Sequence, residues 1–387
     1  METSNTNVSV LIVGAGPVGL ALAAELQRQG VSALIVERQP AGANTSRACV
    51  IHARTLEVLE PLGVTAHLLA HGVKVPIFRV RDRDRALLTI DFAQIDSDYP
   101  FTLMYPQNRT ERALLAALER FGGSVTRGAE FIGFERDGSN LVATLELDGR
   151  RTTVNTRWLI GCDGMHSRVR EQADIAFEGA DYQQGFVLAD VHMDWPYSRD
   201  EVTLFYSPAG FAVVAPLPDA HFRIVAMDDA APATPSLAYL QALLDARGPT
   251  IARGHIHDVA WTSRFHLHHR VARTPRAGQV LLCGDAAHVH SPAGGQGMNT
   301  GIQDAMSLAG VLASTMLDHD ETRLDVWAAT RHRVATEVVA MTDRMTRMAT
   351  LKSPFGQSLR NAAIGLFGHV PPLRASVART LAELDAR

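Results

Sequence analysis

Lysine is nearly missing from this chain of 387 residues: of its 37 basic residues only Lys74 and Lys352 are lysine. Arginine grips phosphates and carboxylates through a planar fork, but genomic base bias is the simpler source of such a skew. Net charge is only −4, so neither a basic face for nucleic acid nor an acidic interaction arm is expected. Cysteine is equally scarce. Cys49, Cys162 and Cys283 stand far apart with no C-x-x-C pair, which excludes a disulfide framework and a cysteine zinc site. METSNTNVSV carries no basic stretch ahead of an apolar one, and no apolar run approaches membrane-spanning length. A cytoplasmic protein is expected, with no membrane partner.

What is present is glycine in particular places. Val8 to Val13 reads as a buried strand running into Gly14-Ala15-Gly16-Pro17-Val18-Gly19. A helix with Leu22 and Leu26 follows and stops at Gly30, then a strand from Ala33 to Val36 ends in Glu37. Strand, glycine turn, helix, strand and acid make up the dinucleotide fingerprint. Its glycines permit a tight turn and close approach to a diphosphate, and its acid suits a ribose hydroxyl. Arg38 and Arg47 follow; each can hold a phosphate or stack on a ring, and Arg38 is equally well read as a solvated loop residue. Ala53 to Leu62 is helical, closed by Gly63. Val73 to Tyr105 turns β-like and irregular, and Gln107 and Arg112 open an amphipathic helix. Trp158-Leu159-Ile160 is another apolar strand, ending in Gly161-Cys162-Asp163-Gly164.

The stretch VLLCGDAAHVHSPAGGQGMNTGIQD, Val280 to Asp304, is the centre of the chain. Val280 to Cys283 reads as a strand, and Asp285 lies just past its carboxyl end, where open α/β sheets bind ligands. Gly294, Gly295 and Gly297 let backbone N–H groups approach a flat or anionic group. Asn299 is expected to cap the following helix, whose positive end would favour a planar cofactor that turns anionic on reduction.

From Phe177 to His269 the pattern is of alternating strands with one helix, Ser236 to Ala246. That sheet suits a substrate platform, with Phe186, Phe205, Phe211 and Trp261 available to an aromatic ligand or to the core. His255 with His257, and His266 with His268 and His269, lack a completing carboxylate or cysteine, so no metal is expected. After Asp304 the chain reads as helical, with Arg331, His332 and Arg333 on a solvated face.

Together, Gly14 to Gly19 with Glu37-Arg38, then Cys162-Asp163-Gly164, then Gly284-Asp285-Ala286-Ala287-His288 with Pro292 to Asn299, closely resemble the three ordered signatures of the FAD-dependent aromatic hydroxylases. These are the class A flavoprotein monooxygenases with the p-hydroxybenzoate hydroxylase fold. Ser263-Arg264-Phe265 with His268-His269-Arg270-Val271-Ala272 is similar to the subgroup acting on phenols, phenylpropionates and aromatic polyketides. The resemblance covers nearly the whole chain, and many members carry a further thioredoxin-like domain after the segment at which this chain stops.

That resemblance implies an α/β fold: a Rossmann-like FAD-binding domain with an inserted antiparallel-sheet substrate domain and a C-terminal helical segment. The expected division is 1–75, 106–176 and 272–320 for FAD, 76–105 and 177–271 for substrate, and 321–387 for the helices. It implies Gly14, Gly16 and Gly19 under the diphosphate, Glu37 on the ribose and Arg38 by the adenine. Gln107 would lie near the flavin and ribityl chain, Arg112 near the phosphates, and Asp285 on ribityl or phosphate groups. Asp163 would touch both FAD and NAD(P)H, and the backbone of Gly295, Gly297, Met298 and Asn299 would meet the flavin. Pro292 would lie over the ring, with Arg47 serving cofactor movement; these two are the expected catalytic residues. The chain holds no second G-x-G-x-x-G, so NAD(P)H is expected to bind transiently. The implied reaction is hydroxylation of a phenolic or polyketide-type aromatic with O2 through a flavin C4a-hydroperoxide, by a monomer or homodimer. A flavin-binding accessory protein holding a polycyclic aromatic is the alternative, as is a halogenase or epoxidase.

Overall fold

The computed structural model describes residues 5–42, 48–351 and 353–386. The apolar run of β1 (Asn5–Val13) ends at Gly14, whose φ of 101° few other residues tolerate. Proline pre-sets the first turn of α1 (Pro17–Arg28), and Gly30 at φ 78° turns the chain back into β2 (Ala33–Glu37), parallel to β1. A short β3 (Val50–Ile51) leads to α2 (Ala53–Leu59), and Gly63, left-handed at φ 64°, separates it from α3 (Val64–His71). The irregular stretch resolves into β4 (Val73–Val75), β5 (Ile77–Asp82), β6 (Arg85–Asp91) and β7 (Thr102–Met104). Next come α4 (Gln107–Arg120), β8 (Val125–Arg127), β9 (Ala129–Asp137), β10 (Asn140–Leu147), β11 (Arg150–Gly161) and α5 (Arg168–Gln172).

Two strands of 18 residues, β12 (Phe177–Asp194) and β16 (His255–Ala272), pair antiparallel from one end to the other, with register shifts between Asp181 and Gly185, after Asp190 and after His192. Between them run β13 (Glu201–Ser207), β14 (Gly210–Pro216), β15 (His221–Met227) and α6 (Leu237–Arg247), which Ser236 caps by accepting from the Tyr239 N–H. The chain then forms β17 (Arg276–Ala277), β18 (Val280–Leu282) and β19 (His288–Val289), followed by α7 (Gly297–Asp318), α8 (Thr322–Ala349), α9 (Pro354–Phe367) and α10 (Pro371–Leu381).

Three sheets result. In the first, β18, β11, β1, β2 and β8 are neighbours and all parallel, with β9, β10 and β17 added antiparallel. One apolar face is covered by helices, where Leu20 and Leu26 of α1, Leu114 and Leu118 of α4, and Ile302, Leu308 and Leu312 of α7 are 0 or 1% exposed, and the other packs against Phe131 of β9, Leu141 and Leu145 of β10 and Val169 of α5. Each such side chain stabilises the fold by about 1.5–3 kcal/mol. Parallel strands place Gly14, Cys162 and Cys283 side by side at their carboxyl ends. The second sheet runs β19-β16-β12-β15-β14-β13-β5-β6, and the third, β3-β7-β4, lies beside both. Among the described residues, no helix is long and apolar enough to cross a membrane.

Candidate active site

Close packing fixes the glycine turn after β1. A Cβ on Gly14 would sit 2.3 Å from the Cys162 carbonyl oxygen, and one on Gly19 would sit 2.0 Å from that of Gly14. These two glycines are therefore required by the protein's own backbone. Gly16 differs, since a Cβ there meets no protein atom within 4 Å. It begins α1 with no side-chain cap, leaving first-turn N–H groups open. Beside this turn lies a cleft of about 200 Å³ lined by Gly14, Glu37, Arg38, Phe131 and Asp163, among others. The Glu37 carboxylate lies along its wall, accepting from the N–H groups of Ala15 and Gln39 at 2.9 Å each. Asp163 accepts from the Val169 N–H at 3.2 Å, while its Oδ1 is buried without a partner. Burial raises the Asp163 carboxyl above its ordinary range. Arg38 and Arg112 are exposed.

The second half of the site is built from the centre of the chain. Asp285 stands exposed on a single 3-10 turn, Gly284–Ala286, at the end of β18. Arg170 donates to the Ala286 carbonyl at 2.9 Å and joins this turn to the Asp163 segment. Pro292 is exposed, and the turn after it closes through the Gly295 N–H on the Pro292 carbonyl at 2.9 Å. Gly294 and Gly295 are left-handed at φ 83° and 68°. A Cβ on Gly295 would lie 2.6 Å from the Val50 side chain.

Asn299 corrects the sequence reading. Helix α7 begins at Gly297 behind Gln296, and neither residue caps it through a side chain. Asn299 is the helix's third residue and fully buried, donating to Val50 O at 2.8 Å and Gly295 O at 2.7 Å. Its Oδ1 accepts from the His52 N–H at 2.9 Å. The side chain thus ties the loop to β3 and leaves the first-turn N–H groups of the helix without a side-chain cap. Gln107 also starts its helix, α4, accepting from Ala48 N–H at 3.1 Å and donating to Glu111 at 2.9 Å. Arg47 lies outside the described residues.

Sequence reasoning missed the groups beneath this loop. His52, 3% exposed, meets the Gly294 carbonyl at 2.8 Å, and burial lowers its pKa to about 4. Arg331 was read as solvated, but it is buried and pairs with Asp304 at 2.5 Å from the next helix. His288 meets the other Asp304 oxygen at 2.7 Å, and the Gly284 N–H reaches it at 3.3 Å. Burial opposes charge on Asp304, but Arg331 and then His288 outweigh it and hold the carboxyl below its usual range.

Opposite the loop stands the second sheet, whose alternation sorts the aromatics. Phe205, 0% exposed, packs with Leu240 and Leu244 under α6, so it cannot touch a ligand. Phe186 and Phe211 face the other way with Tyr206 and the half-buried Phe265, Val213, Val225 and Met227. Phe186 stacks on Phe265 at 5.8 Å. On the same face Arg223, 2% exposed, makes a two-pronged bond to Asp190 at 2.7 and 2.8 Å, with Trp261 5.9 Å from the guanidinium.

Known proteins share this sequence pattern and fold. Residues 7–342 match the family model described as an FAD binding domain. The chain belongs to this family of FAD-dependent monooxygenases. It is 36% identical over 376 residues to the 6-methylpretetramide 4-monooxygenase of Streptomyces rimosus, covering 95% of this chain and 67% of that protein. With the pentachlorophenol 4-monooxygenase of Sphingobium chlorophenolicum it shares 34% identity over 88% of this chain and 65% of that protein. The chain thus spans about two thirds of these relatives' length. Among solved structures, the OxyS anhydrotetracycline hydroxylase of Streptomyces rimosus superposes with a TM-score of 0.83 at 31% identity, covering 99% of this chain and 77% of that one.

The residues of this flavoprotein fit FAD on their own geometry. The open side of Gly16 leaves room for a diphosphate at the start of α1, and Asp163, whose Oδ1 is a buried acceptor without a partner, lines the cleft beside that turn. The first turn of α7 offers uncapped N–H groups behind two left-handed glycines.

Proposed function

We propose that this chain hydroxylates an electron-rich aromatic ring, phenolic or polyketide-like, using resident FAD with NAD(P)H and O2 as co-substrates. The observation that carries the reading is the place of Val50. One side of it packs on Gly295 in the glycine loop, and it also lies against the buried cluster of Cys49, Val75, Met104, Val202, Ala215 and Leu217, on which Phe78 and Val213 of the second sheet pack as well. A ring held against that sheet would lie next to the loop. The names of the relatives, which act on a pretetramide and on pentachlorophenol, support an aromatic substrate.

In this reading Gly14, Gly16 and Gly19 underlie the diphosphate, Glu37 holds the ribose, Arg38 lies by the adenine, and Arg112 serves the phosphates. Gln107 and Asp285 serve the ribityl region, and Asp163 faces FAD and the transient NAD(P)H. Gly295, Gly297, Met298 and Asn299 present backbone to the pyrimidine edge, with Pro292 over the ring. Arg47 is assigned to cofactor movement on the resemblance alone. Bound FAD supplies hydride acceptance and oxygen activation, while the chain supplies position, a dry pocket and electrostatics. N–H groups at the start of α7 stabilise negative charge on their ligand without a titrating acid. The division at 75/76, 105/106, 176/177, 271/272 and 320/321, a cytoplasmic location and a monomer or homodimer belong to the same reading.

The test is the visible spectrum of the purified protein, then NAD(P)H oxidation with a panel of phenols and aromatic polyketides. A yellow protein whose NAD(P)H use rises with one aromatic and yields a product one oxygen heavier supports the proposal. A yellow protein that no aromatic stimulates would favour the accessory role, and one that cannot be loaded with FAD would sink the assignment.

A further inference from the structure

The turn after α10 enters the site from behind. Its Leu381 carbonyl accepts from the Gln296 side chain at 3.3 Å, and the Leu381 side chain lies against Gly294. The Ala382 carbonyl accepts from the Arg54 N–H at 3.2 Å. Next in the chain, Glu383 is left-handed at φ 60°, which costs a residue with a Cβ about 1–2 kcal/mol. That conformation sends its carboxyl inward, where the residue is 6% exposed. There Oε2 accepts from the Gln303 amide, which also donates to Thr55 at 3.2 Å. Oε1 lies 3.3 Å from the Thr300 hydroxyl, and that hydroxyl lies 3.0 Å from the Gln296 carbonyl.

Counting protons decides which form of Glu383 fits. Thr300 has one hydroxyl proton and two acceptors in reach. With Glu383 ionised, one of these contacts is empty. With Glu383 protonated, its O–H donates to Thr300 and Thr300 donates to Gln296, so every contact is made. We propose that Glu383 is a positioning residue for the flavin: held neutral, it clamps the turn after α10 onto the first two turns of α7 and so fixes the Gly294–Met298 loop. The inference rests on the flavin lying at that loop.

Burial pushes this carboxyl up to about 8, against the bonds from Gln303 and Thr300 and the charge of Arg331. The other groups around it are Asp304 on α7, which favours the neutral form, His288 bound to Asp304, and the buried His52 and paired Arg54 at the start of α2. Ionisation above pH 8 would put a negative charge beside the helix end that faces the reduced flavin, and reduction would become harder.

The experiment measures FAD dissociation and the FAD midpoint potential from pH 6 to 9.5 in the full-length wild type, Glu383→Gln and Glu383→Ala. Hydrogen exchange of residues 294–300 is followed in the same proteins. Wild type is expected to show a break in potential near pH 8 that Glu383→Gln lacks, with FAD affinity kept in Glu383→Gln and lowered about tenfold in Glu383→Ala. Faster exchange in the alanine variant alone is the companion result. If all three share one pH profile and one affinity, Glu383 positions nothing. Wild type that takes up no FAD overturns the flavin reading, and this inference with it.

Discussion

Replacing Arg331 with methionine keeps most of the buried stem and removes only the cation. The Arg331 side chain is 9% exposed and that of Asp304 is 3%, so water cannot compensate the carboxylate left behind. His288 and the long Gly284 contact at 3.3 Å are its remaining partners. Breaking a buried pair from one side costs about 3–5 kcal/mol, a large part of a typical domain's 5–15 kcal/mol. The cost depends on pH. Asp304 has a depressed pKa when folded, so the pair's contribution is present above the carboxyl's unfolded pKa and fades as pH falls through the folded one. Without Arg331 that pKa rises, so the gap between variant and wild type should narrow toward pH 5. Urea unfolding followed by tryptophan fluorescence, at fixed excess FAD because the ligand itself adds stability, measures this at pH 7.5 and 5. The double variant Asp304→Asn, Arg331→Met removes both charges and should recover most of the loss. A loss under about 1 kcal/mol for Arg331→Met at pH 7.5, or a double variant worse than the single, would refute the account.

Gly16→Ala should fold within about 1 kcal/mol of wild type, because its Cβ meets no protein atom, yet bind FAD at least tenfold more weakly. Equal FAD affinity would remove the diphosphate from that turn. His52 and His290 are both held neutral by burial, each with a pKa of about 4. The unfolded chain binds protons there from about pH 6.5 downward, so stability should fall as pH drops from 6.5 to 4 by up to about 1.4 kcal/mol per unit for each group. His290→Asn should flatten that slope, and a denaturation midpoint unchanged between pH 7 and 5 would contradict it. Phe205→Ala should cost about 3–5 kcal/mol and leave KM for the aromatic alone, whereas Phe265→Ala should raise KM at a smaller stability cost. The reverse pattern would assign the substrate to the α6 side of the sheet.

How much was legible in the sequence depended on range. Gly14 to Glu37 was readable because strand, turn, helix and acid interact within one βαβ unit, where spacing alone determines geometry. Asn299 misled because cap chemistry is local while two of its three partners, Val50 and His52, come from the far end of the chain. The aromatic strands showed which residues alternate but not which face meets α6, since a one-residue shift exchanges the faces. Arg331 could have been recovered. Leu324, Trp327, Ala328, Val334 and Ala335 form the buried stripe of α8, and Arg331 falls on it at helical spacing. An arginine on an apolar stripe calls for a buried anion, and Asp304 already stood at the end of the central motif. Glu383 carried no such signal: α10 ends at Leu381, and a glutamate two residues past a helix end reads as solvated. Only the left-handed backbone, which no pattern of residues announces, turns it toward Thr300 and Gln303.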